Sequence, residues 1–120
     1  DHPNTDSYIH RQAGSDQVII SSSKRWAKIV ELKEFKEKTL NELINELDKP
    51  DIVIIEGFKN EDHPKIEIIK EPLNISSYLF KDIKNVIAVI SDIKINSFKK
   101  EQFKKNNIDK IVNFILSYKV

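Results

Sequence analysis

The stretch "DIVIIEGFKN", residues 51–60, decides how this chain is to be read. Four apolar β-branched residues in succession, Ile52, Val53, Ile54 and Ile55, have the composition of a strand buried on both faces, and such strands belong to parallel sheets covered by helices. The run ends abruptly in Glu56, Gly57 and Phe58. Just upstream, "KTLNELINELDK" places Leu40, Leu43, Ile44 and Leu47 at amphipathic helical spacing, with Thr39 available as the N-cap. A helix leading into an all-apolar strand is an αβ unit, so residues 52–55 are expected as a central strand. An acid at its carboxyl end then lies where ligands bind in open α/β sheets.

Working outward, "NVIAVISD" is a second apolar strand ending in an acid, Asp92. "PKIEIIK" alternates as a short strand, "EPLNISSYLFKDIK" reads as irregular with some helix, and "IDKIVNFILSYK" as a closing amphipathic helix. Toward the start, Thr5 or Asp6 caps a short helix that Gly14 closes as the C′ residue. Residues 18–20 and 26–32 are two strands joined by a polar turn at 21–24, which predicts a β-hairpin.

Composition narrows the function. A chain of 120 residues, 39% hydrophobic, suits one domain spanning residues 1–120. Twenty basic and 19 acidic residues leave a formal charge of +1, which argues against nucleic acid or a membrane surface as partner. Without Cys there is no disulfide or thiolate chemistry, and His2, His10 and His63 have no metal-ligand spacing. No apolar run approaches the roughly 20 residues of a membrane span, so a cytoplasmic protein is expected.

An acid following a hydrophobic strand is how a Walker B segment holds Mg²⁺ beside a nucleotide phosphate, although a helix cap or surface acid would look the same. A P-loop needs G-x-x-x-x-G-K-[ST], and the only glycines, Gly14 and Gly57, belong to no such motif. "SSSKRW", residues 21–26, gathers hydroxyls, two cations and an indole, suited to phosphate or sugar contacts and equally to an exposed turn. "DHPNTDSYIHR" mixes Asp1, Asp6, Ser7, His10 and Arg11, suited to metal or phosphate and equally to a loop and helix start. His63 precedes Pro64 and is expected to be structural, and Lys99, Lys100, Lys104 and Lys105 to form a solvated helical or loop face.

Taken in order, D-x-P-x-x-D-S-Y-x-x-R-x-A-G, then R-W-A, then the apolar strand with E-G-F-K, and later P-K-I-E, the sequence resembles the molybdopterin-guanine dinucleotide biosynthesis protein B (MobB) family over nearly its whole length. The resemblance implies an α/β fold of P-loop NTPase type, a mostly parallel sheet with a β-hairpin insertion. It also implies a homodimer that binds GTP with Mg²⁺, hydrolyses it weakly and assists the guanylyltransferase MobA in converting molybdopterin to its guanine dinucleotide. By position, Glu56 matches the metal-binding, catalytic acid, with Gly57, Phe58 and Lys59 completing its motif. Ser22, Ser23, Lys24 and Arg25 fall where nucleotide contacts are expected, and Asp1, Asp6, Ser7 and Arg11 on the polar loop near phosphate or metal. Asp92 is expected to read guanine, because a carboxylate accepts from both N1–H and the 2-amino group. The family's initial strand, P-loop, helix and second strand have no counterpart in these residues, and Asn4 stands where glycine is common, so the chain is expected to be the C-terminal portion of such a protein. A non-catalytic module for dimerisation and for docking MobA is the alternative reading.

Overall fold

The computed structural model describes residues 2–70 and 77–118. They fall into two compact units, Asp1–Val53 and Ile54–Val120.

In the first unit, helix α1 (Asp6–Gln12) begins at Thr5, whose Oγ1 accepts from the Tyr8 N–H at 3.4 Å. It ends in a Schellman closure. Gly14, at φ +105°, donates to the Arg11 carbonyl at 2.9 Å and Ser15 to the His10 carbonyl at 3.1 Å. Strands β1 (Gln17–Ser21) and β2 (Trp26–Val30) form the expected antiparallel hairpin, with Gln17 opposite Val30 and Ser21 opposite Trp26. Only Val18 and Ile29 in it are half-buried, and they face each other across the ladder. Helix α2 (Leu40–Asn45) is capped by Thr39, whose Oγ1 accepts from the Glu42 N–H at 3.2 Å.

The second unit is built on a parallel sheet in the order β3-β4-β5, from Lys65–Ile68, Val86–Ile90 and Glu101–Phe103. β4 lies in the centre, and Val86, Ala88, Val89 and Ile90 are buried as its apolar composition requires. Ile69, Tyr78, Ile95 and Phe98 complete the core beside Val86 and Val89, with Phe80 edge-on to Phe98 at 4.9 Å. Helix α3 (Ile108–Ser117) buries Ile111 and sets Phe114 against Phe103 at 5.2 Å.

Two expectations differ from the structure. Residues 52–55 join no strand ladder among the described residues, and Ile54 is 86% exposed. β-branched composition favours an extended chain, but a parallel strand exists only through the neighbour whose N–H and C=O groups complete its ladder. Conversely, Glu101–Phe103 is a strand although its composition is not apolar, because it pairs with β4, Ala88 opposite Glu101 and Ile90 opposite Phe103. The segment 71–84, expected to be irregular with some helix, contains a short 3-10 turn at Leu79–Lys81, and its first six residues lie outside the described ones.

Side-chain clamps hold the loops of this unit. The Lys65 ammonium donates to the carbonyls of Glu61, of His63 at 3.0 Å and of Lys84 at 2.9 Å, while Asn85 Nδ2 donates to the Asp62 carbonyl at 2.9 Å. Three consecutive carbonyls, 61 to 63, are thus satisfied by two side chains. Glu67 accepts from the N–H groups of Leu79 and Phe80 at 2.8 and 2.9 Å. Gln102 donates to the Ile95 and Phe98 carbonyls and accepts from the Ile95 N–H, which closes the β4–β5 connection.

Candidate functional site

In the first unit the polar residues singled out in the sequence separate into those that line a surface groove and those that bond to other groups of the unit. A surface groove of about 420 Å³ lies between α1 and β1, with Asp6, Ser7 and His10 on its rim and Val18, Ile19 and Ile20 along its floor. Asp6 and His10 share a helix face because they are four residues apart. Arg11 instead turns to Glu31, at 2.8 Å, and its guanidinium lies 5.7 Å from the Tyr8 ring centroid. It ties α1 to the end of the hairpin. Asp1 lies outside the described residues.

The "SSKR" tip is a four-residue turn, and its first serine is a turn-former. Ser22 Oγ donates to the Arg25 carbonyl at 3.1 Å and accepts from the N–H groups of Lys24 and Arg25, both at 3.3 Å. That closes the connection by a side chain competing for local backbone groups. Ser23, Lys24 and Arg25 are exposed, and neither cation forms an ion pair among the described residues. An anion could therefore meet both cations.

In the second unit Glu56 is exposed and makes no hydrogen bond or ion pair among the described residues. Gly57 has φ +87° and Phe58 φ +51°, so the chain makes consecutive left-handed turns immediately after the acid. A Cβ at Gly57 would meet nothing within 4 Å, so backbone conformation and not space is what calls for glycine there. Lys59 is exposed, and the Glu61 N–H donates back to the Phe58 carbonyl at 3.1 Å. The Lys65 and Asn85 clamps grip the next three carbonyls, so the motif loop is anchored from downstream. No group of three or more His, Cys, Asp or Glu among the described residues could enclose a metal. Glu56 offers one carboxylate, which suits Mg²⁺ held mainly by water and nucleotide phosphates.

Asp92 follows the carboxyl end of β4, as expected, but it is not isolated. Its Oδ1 accepts from the Lys105 N–H at 3.3 Å and its Oδ2 lies 3.7 Å from the Lys105 ammonium, which in turn donates to the Lys70 carbonyl at 3.0 Å. Sequence reading overlooked Lys105 by assigning it to a solvated face. The only signal available was its separation of two residues from Phe103, legible once β5 is known.

Against this geometry stand the known proteins. Residues 1–92 match the family described as molybdopterin guanine dinucleotide synthesis protein B. The chain belongs to the MobB family. This MobB-family chain is 36% identical over 98 residues to the molybdopterin-guanine dinucleotide biosynthesis adapter protein of Escherichia coli K12, covering 80% of itself and 56% of that protein. It is 36% identical over 75 residues to the adapter protein of the same name from Haemophilus influenzae, covering 61% of itself and 41% of that protein. The chain spans about half the length of the curated relatives it matches. A crystal structure of molybdopterin-guanine biosynthesis protein B superposes with a TM-score of 0.75 at 26% identity, over 93% of this chain and 73% of that one. The mixed α/β architecture with a parallel sheet is therefore that of MobB.

Proposed function

We propose that this chain is a nucleotide-handling part of a molybdopterin-guanine dinucleotide biosynthesis adapter, binding GTP with Mg²⁺ in the cytoplasm and hydrolysing it slowly. The observation that carries this reading is Glu56, an exposed acid with no hydrogen-bond or ion-pair partner among the described residues, set after four apolar β-branched residues and before two left-handed ones. A carboxylate so placed is open to a hydrated Mg²⁺, and the metal would neutralise charge on the terminal phosphates during transfer to water. In the first unit Lys24 and Arg25 are exposed cations open to phosphate, with Ser23 as a hydroxyl donor and Ser22 shaping the turn that presents them; in the second unit Lys59 is likewise an exposed cation. Asp6 and Ser7 on the groove rim are the polar-loop contacts, and Asp92 is the guanine reader. Gly57 supplies the left-handed turn between the acid and Lys59.

Calorimetry of the full-length protein with GTP and ATP, each with Mg²⁺, tests the reading. GTP binding with a clear preference over ATP is expected. Glu56→Gln should lower Mg²⁺-dependent turnover about tenfold, or about 1.4 kcal/mol of barrier. Turnover equal to the wild type removes the metal role from Glu56.

The second reading is an adaptor that dimerises and docks the guanylyltransferase MobA, and the hairpin favours it. Ile19 is 65% exposed and Trp26 68%, with Phe35, just beyond the hairpin, at 80%. Apolar exposure of this density on one small unit marks an association surface. Sedimentation of the wild type beside Trp26→Ser, alone and with MobA, separates self-association from heterologous docking. Unchanged association in both settings removes Trp26 from the surface.

A further inference from the structure

Three residues occupy one row at the carboxyl edge of the parallel sheet. The register sets Ile68 beside Ile90 and Ile90 beside Phe103, and Lys70, Asp92 and Lys105 each follow two residues later. The ladder continues past the strands, with the Ser91 N–H donating to the Phe103 carbonyl at 2.9 Å. Lys105 closes the row from the β5 side. Its ammonium reaches the Lys70 carbonyl two strands away, a span of about 9.5 Å at ordinary strand spacing, and so crosses the end of β4 where Asp92 stands.

An exposed Lys–Asp pair by itself contributes little and fixes nothing. Here the carboxylate is held from two directions by one residue, the main-chain N–H at Oδ1 and the ammonium beside Oδ2, and that ammonium is tethered to a third strand. Rotation of the Asp92 carboxylate is thereby restrained. A carboxylate has about four lone-pair sites, and the Lys105 N–H takes one of them. Among the described residues no other hydrogen bond reaches this carboxylate, which leaves acceptor capacity on both oxygens for two adjacent N–H donors of a flat heterocycle. Guanine presents such donors at N1 and at its 2-amino group, whereas adenine has an acceptor at N1 and no group at C2.

We propose that Lys105 is a positioning residue for base recognition, holding Asp92 in the orientation that selects a 2-amino-6-oxopurine at the carboxyl edge of β4. This inference rests on the GTP reading given above. The experiment is calorimetry on the full-length protein with GTP, ITP, XTP and ATP, each with Mg²⁺, for the wild type, Asp92→Asn, Lys105→Ala and Lys105→Arg. In the wild type, GTP should bind about tenfold or more tighter than ITP, which lacks the 2-amino group and leaves an acceptor unpaired. Asp92→Asn should lose GTP and gain XTP, because the amide now donates to the 2-oxo group. Lys105→Ala should bring GTP and ITP affinities together, and Lys105→Arg, which still reaches the Lys70 carbonyl, should restore the gap. A merely structural Lys105 would weaken both nucleotides in parallel. A wild type that binds GTP but does not distinguish it from ITP overturns this inference alone. So does a Lys105→Ala protein with an undiminished gap. A wild type that binds no GTP overturns the GTP reading and the inference together.

Discussion

Replacing Lys65 by Met keeps a long apolar stem and removes one ammonium, which makes it the sharpest test of how the loop after Glu56 is held. Three carbonyls lose their donor, those of Glu61, His63 and Lys84. The His63 bond is partly buried and the other two are exposed, so water can replace the exposed ones and only the first leaves an acceptor short of a partner. Hydrogen bonds to a charged group contribute about 1.5–3 kcal/mol each when protected and much less when water competes, so the loss comes to about 2–3 kcal/mol. With a urea m-value of about 1–3 kcal/mol/M, the midpoint should fall by about 0.7–3 M. Hydrogen exchange locates the effect. The Glu61 amide, bonded to the Phe58 carbonyl at 3.1 Å, should exchange faster in the variant while amides of β4 keep their rank order. Lys65→Arg should recover most of the loss, since a guanidinium carries enough donors for the same carbonyls. A midpoint shift below about 0.3 M for Lys65→Met would refute the clamp, because it would mean that solvent satisfies the carbonyls as well as the ammonium does.

Glu67→Gln replaces a carboxylate that accepts from two main-chain N–H groups by an amide whose NH₂ opposes one of them, and should cost about 1.5–3 kcal/mol by urea denaturation. Gly14→Ala should destabilise by about 1 kcal/mol despite open space around its Cβ, since the penalty arises from φ +105° alone; a neutral result in thermal melts would contradict the Schellman closure. The Lys38 ammonium, donating to Glu46 Oε1 at 2.8 Å, holds the Glu46 carboxyl below the usual carboxylate range, and the same bond holds Lys38 above the usual lysine range. Glu46 therefore contributes fully above its unfolded pKa and loses that contribution as pH falls through its lowered folded value. Lys38 contributes fully below its unfolded pKa and loses its share as pH rises through the raised one. An NMR titration should show the Glu46 midpoint moving up in Lys38→Ala and weakening its shift in high salt.

What could be read without the structure was local. Thr5 and Thr39 cap their helices and Gly14 ends α1, because a cap is set by groups within four residues of one another. The hairpin was legible from two short strands around a polar turn, and β4 from an apolar run long enough to fill a sheet centre. The family motifs were legible too, although not what their members do. In P-K-I-E, Lys65 and Glu67 are loop clamps whose partners are 12 to 19 residues away, apart from Lys65's two nearer carbonyls. Arg11 and Ser22, expected as ligand contacts, also have structural partners that the sequence did not show, Glu31 and the hairpin turn.

By itself the sequence determined the α/β class, the capped helices, the hairpin, the identity of the buried β4 run and membership of MobB. Only the tertiary structure decided that Glu101–Phe103 is a strand, that residues 52–55 join no ladder among the described residues, and that Lys105 stands beside Asp92. The reason is physical. Caps and periodicity are properties of neighbouring residues, whereas a strand and a carboxylate's orientation depend on which distant backbone or ammonium the fold brings alongside, and composition does not encode that partner.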